Sequence, residues 1–203
     1  MLGLIQYVGR PLALWASFGG AVAMKASLRL GPDLAGLVLL DANPFYLLAM
    51  YGRDAAYAEA AGLRDHVKRY GADGRWEVVA ERFADYWNGA GTWSAMPERR
   101  RTAFLAALPP NVHEWDAVMN ETTPLEEWRG IRAQTLLVQA AQTRRPIREL
   151  SELLLDAIPG WRLVEILGAG HMAPMTRPDL VNPVVVDFLE GLRPQRTGDQ
   201  DAR

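Results

Sequence analysis

The chain has 203 residues, a formal net charge of −2 and 49% hydrophobic residues, enough to bury the core of one compact domain. It contains no cysteine, so disulfides, thiolate metal sites and a cysteine nucleophile are excluded, and its three histidines (His66, His113, His171) are too far apart for a metal cluster. The near-neutral charge gives no broad pull toward nucleic acid or anionic membrane, and no stretch reaches the roughly 18 apolar residues of a membrane helix.

The first element is the apolar run Leu12-Ala13-Leu14-Trp15, which stops at Ser17-Phe18-Gly19-Gly20. The same stretch, with Arg10 before it and Ala21-Val22-Ala23 after it, mimics a signal peptide, but a single positive charge is weak support and a strand followed by a turn accounts for it better. A helix is expected over residues 21–30, ended by Gly31-Pro32. Leu37-Val38-Leu39-Leu40 then forms a wholly apolar strand ending at Asp41. The signature recurs at Thr135-Leu136-Leu137-Val138 and at residues 162–166, as in a parallel sheet covered on both faces. Helices follow over residues 147–158, with Leu150, Leu153, Leu154 and Ile158 on one face, and over residues 179–192, with Pro178 and Pro183 near the start. The alternation predicts an α/β fold, a mostly parallel sheet with flanking helices.

Residues 45–132 break the alternation. They read as helices carrying Trp76, Phe83, Tyr86, Trp87, Trp93, Phe104, Trp115 and Trp128, with no strand. A helical insertion between two strands is read as a lid, and its aromatic residues chiefly as lid core. The expected organisation is a core of residues 1–44 and 133–192, a lid of residues 45–132 and a polar, disordered tail of residues 193–203.

Three residues could carry chemistry, and each follows a strand. Ser17 sits on a strand-to-helix turn beside two glycines, where a nucleophile is held above the sheet edge; alone, it could equally be a helix cap. His171 lies in Gly168-Ala169-Gly170-His171-Met172, a loop flexible enough to present the ring. Asp41 ends the second strand; otherwise it would be a turn residue with Asn43 and Pro44. In a parallel sheet the loops after strand C-termini share one side, so Ser17, Asp41 and His171 emerge together, as a serine–histidine–acid relay requires. His66 and His113 are expected on the lid surface or in its packing. Arg99-Arg100-Arg101 reads as a solvated face, and Arg144-Arg145 as a weaker candidate for an anionic substrate.

Ser17-Phe18-Gly19-Gly20-Ala21-Val22-Ala23, Gly36-Leu37-Val38-Leu39-Leu40-Asp41 and Gly168-Ala169-Gly170-His171-Met172-Ala173-Pro174 together resemble the α/β-hydrolase superfamily, over residues 5–192. Within it the chain is similar to bacterial single-domain serine hydrolases with a helical lid. The resemblance implies acyl-transfer chemistry, with Ser17 as nucleophile, His171 as base and the Phe18 N–H as one oxyanion donor. A serine at this position argues against epoxide hydrolases and haloalkane dehalogenases, which carry aspartate there. The family elbow is G-x-S-x-G; here Trp15 replaces the first glycine, and the histidine common before the serine is absent. Many relatives place the acid after the strand that here ends at Val138. That loop, residues 139–146, has no carboxylate, so Asp41 is the expected acid and Glu149 the alternative.

The resemblance also implies a larger sheet, of which this chain carries the second half. The chain is therefore expected to be truncated, to lack the His-Gly loop that supplies a second oxyanion donor, and to self-associate through the open edge of its first strand. The expected function is hydrolysis of an ester, lactone or amide of a small molecule. A lyase or C–C hydrolase using the same relay, and a non-catalytic remnant, are the alternatives. No cofactor, metal, nucleic-acid partner or membrane partner is expected, and the expected location is the cytoplasm.

Overall fold

The computed structural model describes residues 12–192, the first four of them by backbone alone. Among these are four strands, β1 (Leu12–Ala16), β2 (Gly36–Leu40), β3 (Gln134–Ala140) and β4 (Arg162–Ile166), in one parallel sheet of order β1-β2-β3-β4. Because every strand runs the same way, the segment after each one emerges at the same edge. Helix α1 (Phe18–Leu30) joins β1 to β2, α9 (Arg145–Ala157) joins β3 to β4, and α10 (Ala173–Thr176) and α11 (Pro178–Gly191) close the described chain. The tail of residues 193–203 lies outside the described residues.

The apolar runs of β2 and β3 divide their side chains between two cores, as a two-residue period dictates. Leu37, Leu39 and Leu137 join Met24 of α1 and Ile147, Leu150 and Leu154 of α9 on one face. Val38, Leu40, Leu136 and Val138 join Val181, Val185 and Phe188 of α11 on the other. β4 departs from the expected fully covered strand. Its residues Arg162, Leu163 and Glu165 are exposed: among the described residues β4 pairs with β3 alone, and its run is only partly apolar. Pro183 lies inside α11 rather than at its start.

Residues 45–132 hold seven helices: α2 (Tyr46–Met50), α3 (Asp54–Ala72), α4 (Trp76–Asn88), α5 (Thr92–Ala95), α6 (Glu98–Ala107), α7 (Asn111–Asn120) and α8 (Leu125–Trp128). Their aromatic residues pack chiefly on one another and on the core, as in the pairs Phe45–Trp115 and Phe83–Phe104. The insertion continues one sheet core rather than forming a separate one, and polar contacts fasten its return to the sheet. The Trp128 indole N–H donates to the Tyr46 hydroxyl at 2.9 Å, which donates to the Thr123 carbonyl at 2.7 Å. Glu121 accepts from the Thr122 and Thr123 backbone N–H groups and from Lys25 of α1.

These donors, led by the Thr122 N–H, hold the Glu121 carboxyl down at about 2 from an ordinary 4.5. A carboxylate held lower in the folded state adds stability above its unfolded pKa, and that stability is lost as pH falls through the folded value. The stability difference between the parent chain and Glu121→Gln should therefore be largest above pH 4.5 and shrink as pH falls toward 2. Urea unfolding at several pH values measures it; a difference that stays constant across this window would contradict the anchoring role.

Candidate active site

At the C-terminal edge of the sheet the backbone turns sharply at two places. Ser17, between β1 and α1, has φ +51°, and Asp41, directly after β2, has φ +45°; they are the only non-glycine residues with positive φ among those described. This region costs an L-residue about 1–3 kcal/mol and persists only where surroundings enforce it. Two contacts enforce the first turn: the Ser17 N–H donates to the Leu40 carbonyl at 2.9 Å, and the Gly20 N–H to the Ser17 carbonyl at 2.9 Å. Gly20 is required here, since a Cβ at that position would lie 2.5 Å from the Ala42 Cβ. The start of α1 thus rests directly on the loop after β2. The side chain of Trp15, which replaces the first glycine of the family elbow, lies outside the described residues.

The three candidates meet. His171 Nε2 lies 3.0 Å from Ser17 Oγ, and His171 Nδ1 lies 3.1 Å from Asp41 Oδ2. Asp41 and His171 are buried, at 6% and 7% exposure, whereas Ser17 is partly open. A buried carboxylate must be paired and hydrogen-bonded. Asp41 is: its Oδ1 accepts from the Ala140 N–H at 3.1 Å and its Oδ2 from the Thr143 hydroxyl at 2.7 Å. The end of β3 and the loop after it thus supply donors to Asp41. Glu149, the alternative, lies in α9 and pairs with Arg145. Phe18 begins α1, where the first N–H groups have no acceptor within the helix.

Two further contacts were not legible in the sequence. The Asn43 side-chain amide donates to Ser17 Oγ at 3.1 Å. The Trp87 indole from α4 stacks on the His171 ring, with centroids 4.0 Å apart and planes 27° from parallel. The end of α4 is held in place by Arg144, which donates to the Asp85 and Tyr86 carbonyls and covers the Tyr86 ring. A cation at a helix C-terminus is favourable there, and Arg144 makes these contacts to the backbone of α4. The backbone N–H groups of Trp93 and then Gly91 lower the Asp85 carboxyl and pin the chain beyond α4. Burial first, and then Glu59, raise the Tyr86 hydroxyl far above its ordinary value, so it remains a donor to Glu59.

Beside Ser17 lies a cavity of about 30 Å³, walled by Phe18, Asn43, Phe83, Trp87, Trp115 and Val118 and bordered by Asn111 and Glu114. That is room for one or two waters. Asn43 Oδ1 and Trp87 Nε1 are buried without a hydrogen-bond partner among the described residues. Of the remaining candidates, His66 Nε2 contacts the Val78 carbonyl at 3.1 Å and the ring packs on Tyr70, while His113, Arg99 and Arg100 are exposed. No group of three or more metal-ligating side chains occurs among the described residues, and no helix there is long and apolar enough to cross a membrane.

Residues 3–184 match the model of the alpha/beta hydrolase family. No curated protein matches the sequence. Among solved structures, the chain is similar to a thermophilic esterase from Thermogutta terrifontis, at 22% identity and a TM-score of 0.68, covering 95% of this chain and 70% of that one. It is also similar to the enol-lactonase from Burkholderia xenovorans LB400, at 18% identity and a TM-score of 0.67, covering 93% and 70%. A carboxylesterase structure from the thaumarchaeon Nitrososphaera gargenis gives 12% identity and a TM-score of 0.66, covering 94% and 69%. At such identities these likenesses speak for the fold.

Proposed function

Because the chain belongs to the alpha/beta hydrolase family, we propose that it hydrolyses an ester, lactone or amide of a small molecule through a relay of Ser17, His171 and Asp41. The observation that carries this reading is the pair of contacts on His171, 3.0 Å to Ser17 Oγ and 3.1 Å to Asp41 Oδ2, made by residues from three separate loops. The esterase and enol-lactonase among the structural neighbours support acyl transfer as the chemistry.

Asp41 accepts a hydrogen bond from the Nδ1–H of His171, which keeps the proton on Nδ1 and leaves Nε2 free to accept one. Ser17 Oγ attacks the substrate carbonyl as its proton passes to Nε2. The negative charge that develops on the carbonyl oxygen meets the Phe18 N–H at the start of α1. His171 then returns the proton to the departing alcohol or amine. Water, activated by the same ring, repeats the sequence on the acyl-enzyme and frees Ser17. Trp87 covers one face of the ring, which fixes its plane and keeps water off it. The insertion of residues 45–132 acts as a lid. Its Phe83, Trp87, Trp115 and Val118 line the cavity beside Ser17.

A fluorophosphonate probe should label the parent chain at Ser17, and Ser17→Ala should abolish labelling. Asp41→Asn should slow labelling by several orders of magnitude, on the order of 10⁴-fold as for other relays that lose their acid. Glu149→Gln should leave the rate unchanged. Intact-mass spectrometry reads all three; equal labelling of Ser17→Ala, or a larger loss in Glu149→Gln than in Asp41→Asn, would overturn the assignment.

A further inference from the structure

We propose that Asn43 is a fourth catalytic group, whose side-chain N–H directs the Ser17 hydroxyl toward His171 and stabilises the charge that builds on Ser17 Oγ. The proposal rests on the reading of Ser17 as nucleophile. Its foundation is the 3.1 Å contact from Asn43 Nδ2 to Ser17 Oγ, made beside the 3.0 Å contact from the same oxygen to His171 Nε2.

Proton counting fixes which end of the amide faces the serine. A serine hydroxyl offers one proton and two lone pairs. His171 presents its Nδ1–H to Asp41, so Nε2 accepts, and the single Ser17 proton goes to it. Any second partner of Oγ must therefore donate. The amide nitrogen of Asn43 can; its oxygen would compete with His171 for the one proton. With Nδ2 engaged, the hydroxyl cannot rotate away from the ring.

The surroundings hold the amide in that place. Asn43 is 6% exposed and lies two residues after Asp41, in a loop pinned by the Ala42–Gly20 contact. Pro44 follows it and disfavours helical backbone at Asn43. Ser17 is the sole hydrogen-bond partner of the side chain among the described residues, because Oδ1 has none. Asn43 also lines the cavity beside the nucleophile.

Its effect falls at two moments. As the Ser17 proton passes to Nε2 in acylation, Oγ gains negative charge and the Asn43 N–H becomes a charge-assisted donor. In deacylation Oγ departs from the acyl carbon with the same charge and meets the same donor. Between them Oγ is an ester oxygen and the bond is weak, so the contribution appears in rate and not in ground-state affinity.

The test is the labelling rate of the full chain with a fluorophosphonate, with thermal melting recorded for each variant. Asn43→Leu keeps approximate size and removes the donor; Asn43→Asp keeps the shape and presents only acceptors when ionised. Both should label on the order of ten- to a hundredfold more slowly than the parent at unchanged probe affinity, with Asn43→Asp the slower. Asn43→Leu should melt no lower than the parent, since it also removes the unpartnered oxygen. Should Asn43→Leu not fold, Asn43→Ala replaces it with the same expected rate loss. Labelling of either apolar variant at the parent rate, or Asn43→Asp faster than the apolar variant, would overturn the proposal while leaving the Ser17 reading intact. An unlabelled parent chain, or a labelled Ser17→Ala, would overturn both.

Discussion

A buried carboxylate at the end of β2 imposes the constraint that organises this end of the sheet. Asp41 has almost no access to water, and an ionised carboxylate there is tolerable only if several donors surround it. They come from three parts of the chain: the last residue of β3, the Thr143 hydroxyl in the loop beyond it, and His171 in the loop after β4. The Gln142 N–H bonds the Ala169 carbonyl at 2.9 Å and ties the last two loops together. Satisfying one charge thus fixes the relative positions of three strand ends and orients an imidazole toward Ser17.

The same arrangement couples the insertion to the chemistry. Trp87, at the end of α4, is in direct contact with the His171 ring, and Arg144, from the loop that also serves Asp41, holds the carbonyls at that end of α4. Any displacement of Trp87 would therefore alter the surroundings of the proposed base.

Much of this was legible in the sequence, because much of it is carried by local pattern. Wholly apolar runs at residues 37–40 and 135–138 signal buried parallel strands, and parallel strands put Ser17, Asp41 and His171 on one edge. Residues 139–146 carry no carboxylate, and Asp41, one strand earlier, is the residue that meets His171. What was not legible depends on contacts distant in sequence or on position in the sheet. Asn43 reads as a turn residue until Ser17 is beside it, and nothing in the helical spacing of the insertion singles out Trp87 from its other tryptophans. Thr143, in a loop without a carboxylate, gives no sign in the sequence that it donates to Asp41. The run of residues 162–166 resembles a strand covered on both faces, but at the edge of the sheet among the described residues, with Arg162 and Glu165, it leaves residues in water.

The account turns on Asp41 holding the Nδ1 proton of His171, and proton NMR observes that proton directly. A proton held between an imidazole and a buried carboxylate is shielded from exchange and resonates far downfield of the amide envelope. The spectrum of the parent chain should show one such resonance, assigned to His171 by its loss in His171→Gln. It should persist in Ser17→Ala, which leaves the Asp41 contact in place, and vanish in Asp41→Asn. A downfield resonance that survives Asp41→Asn, or its absence from the folded parent chain, would contradict the account.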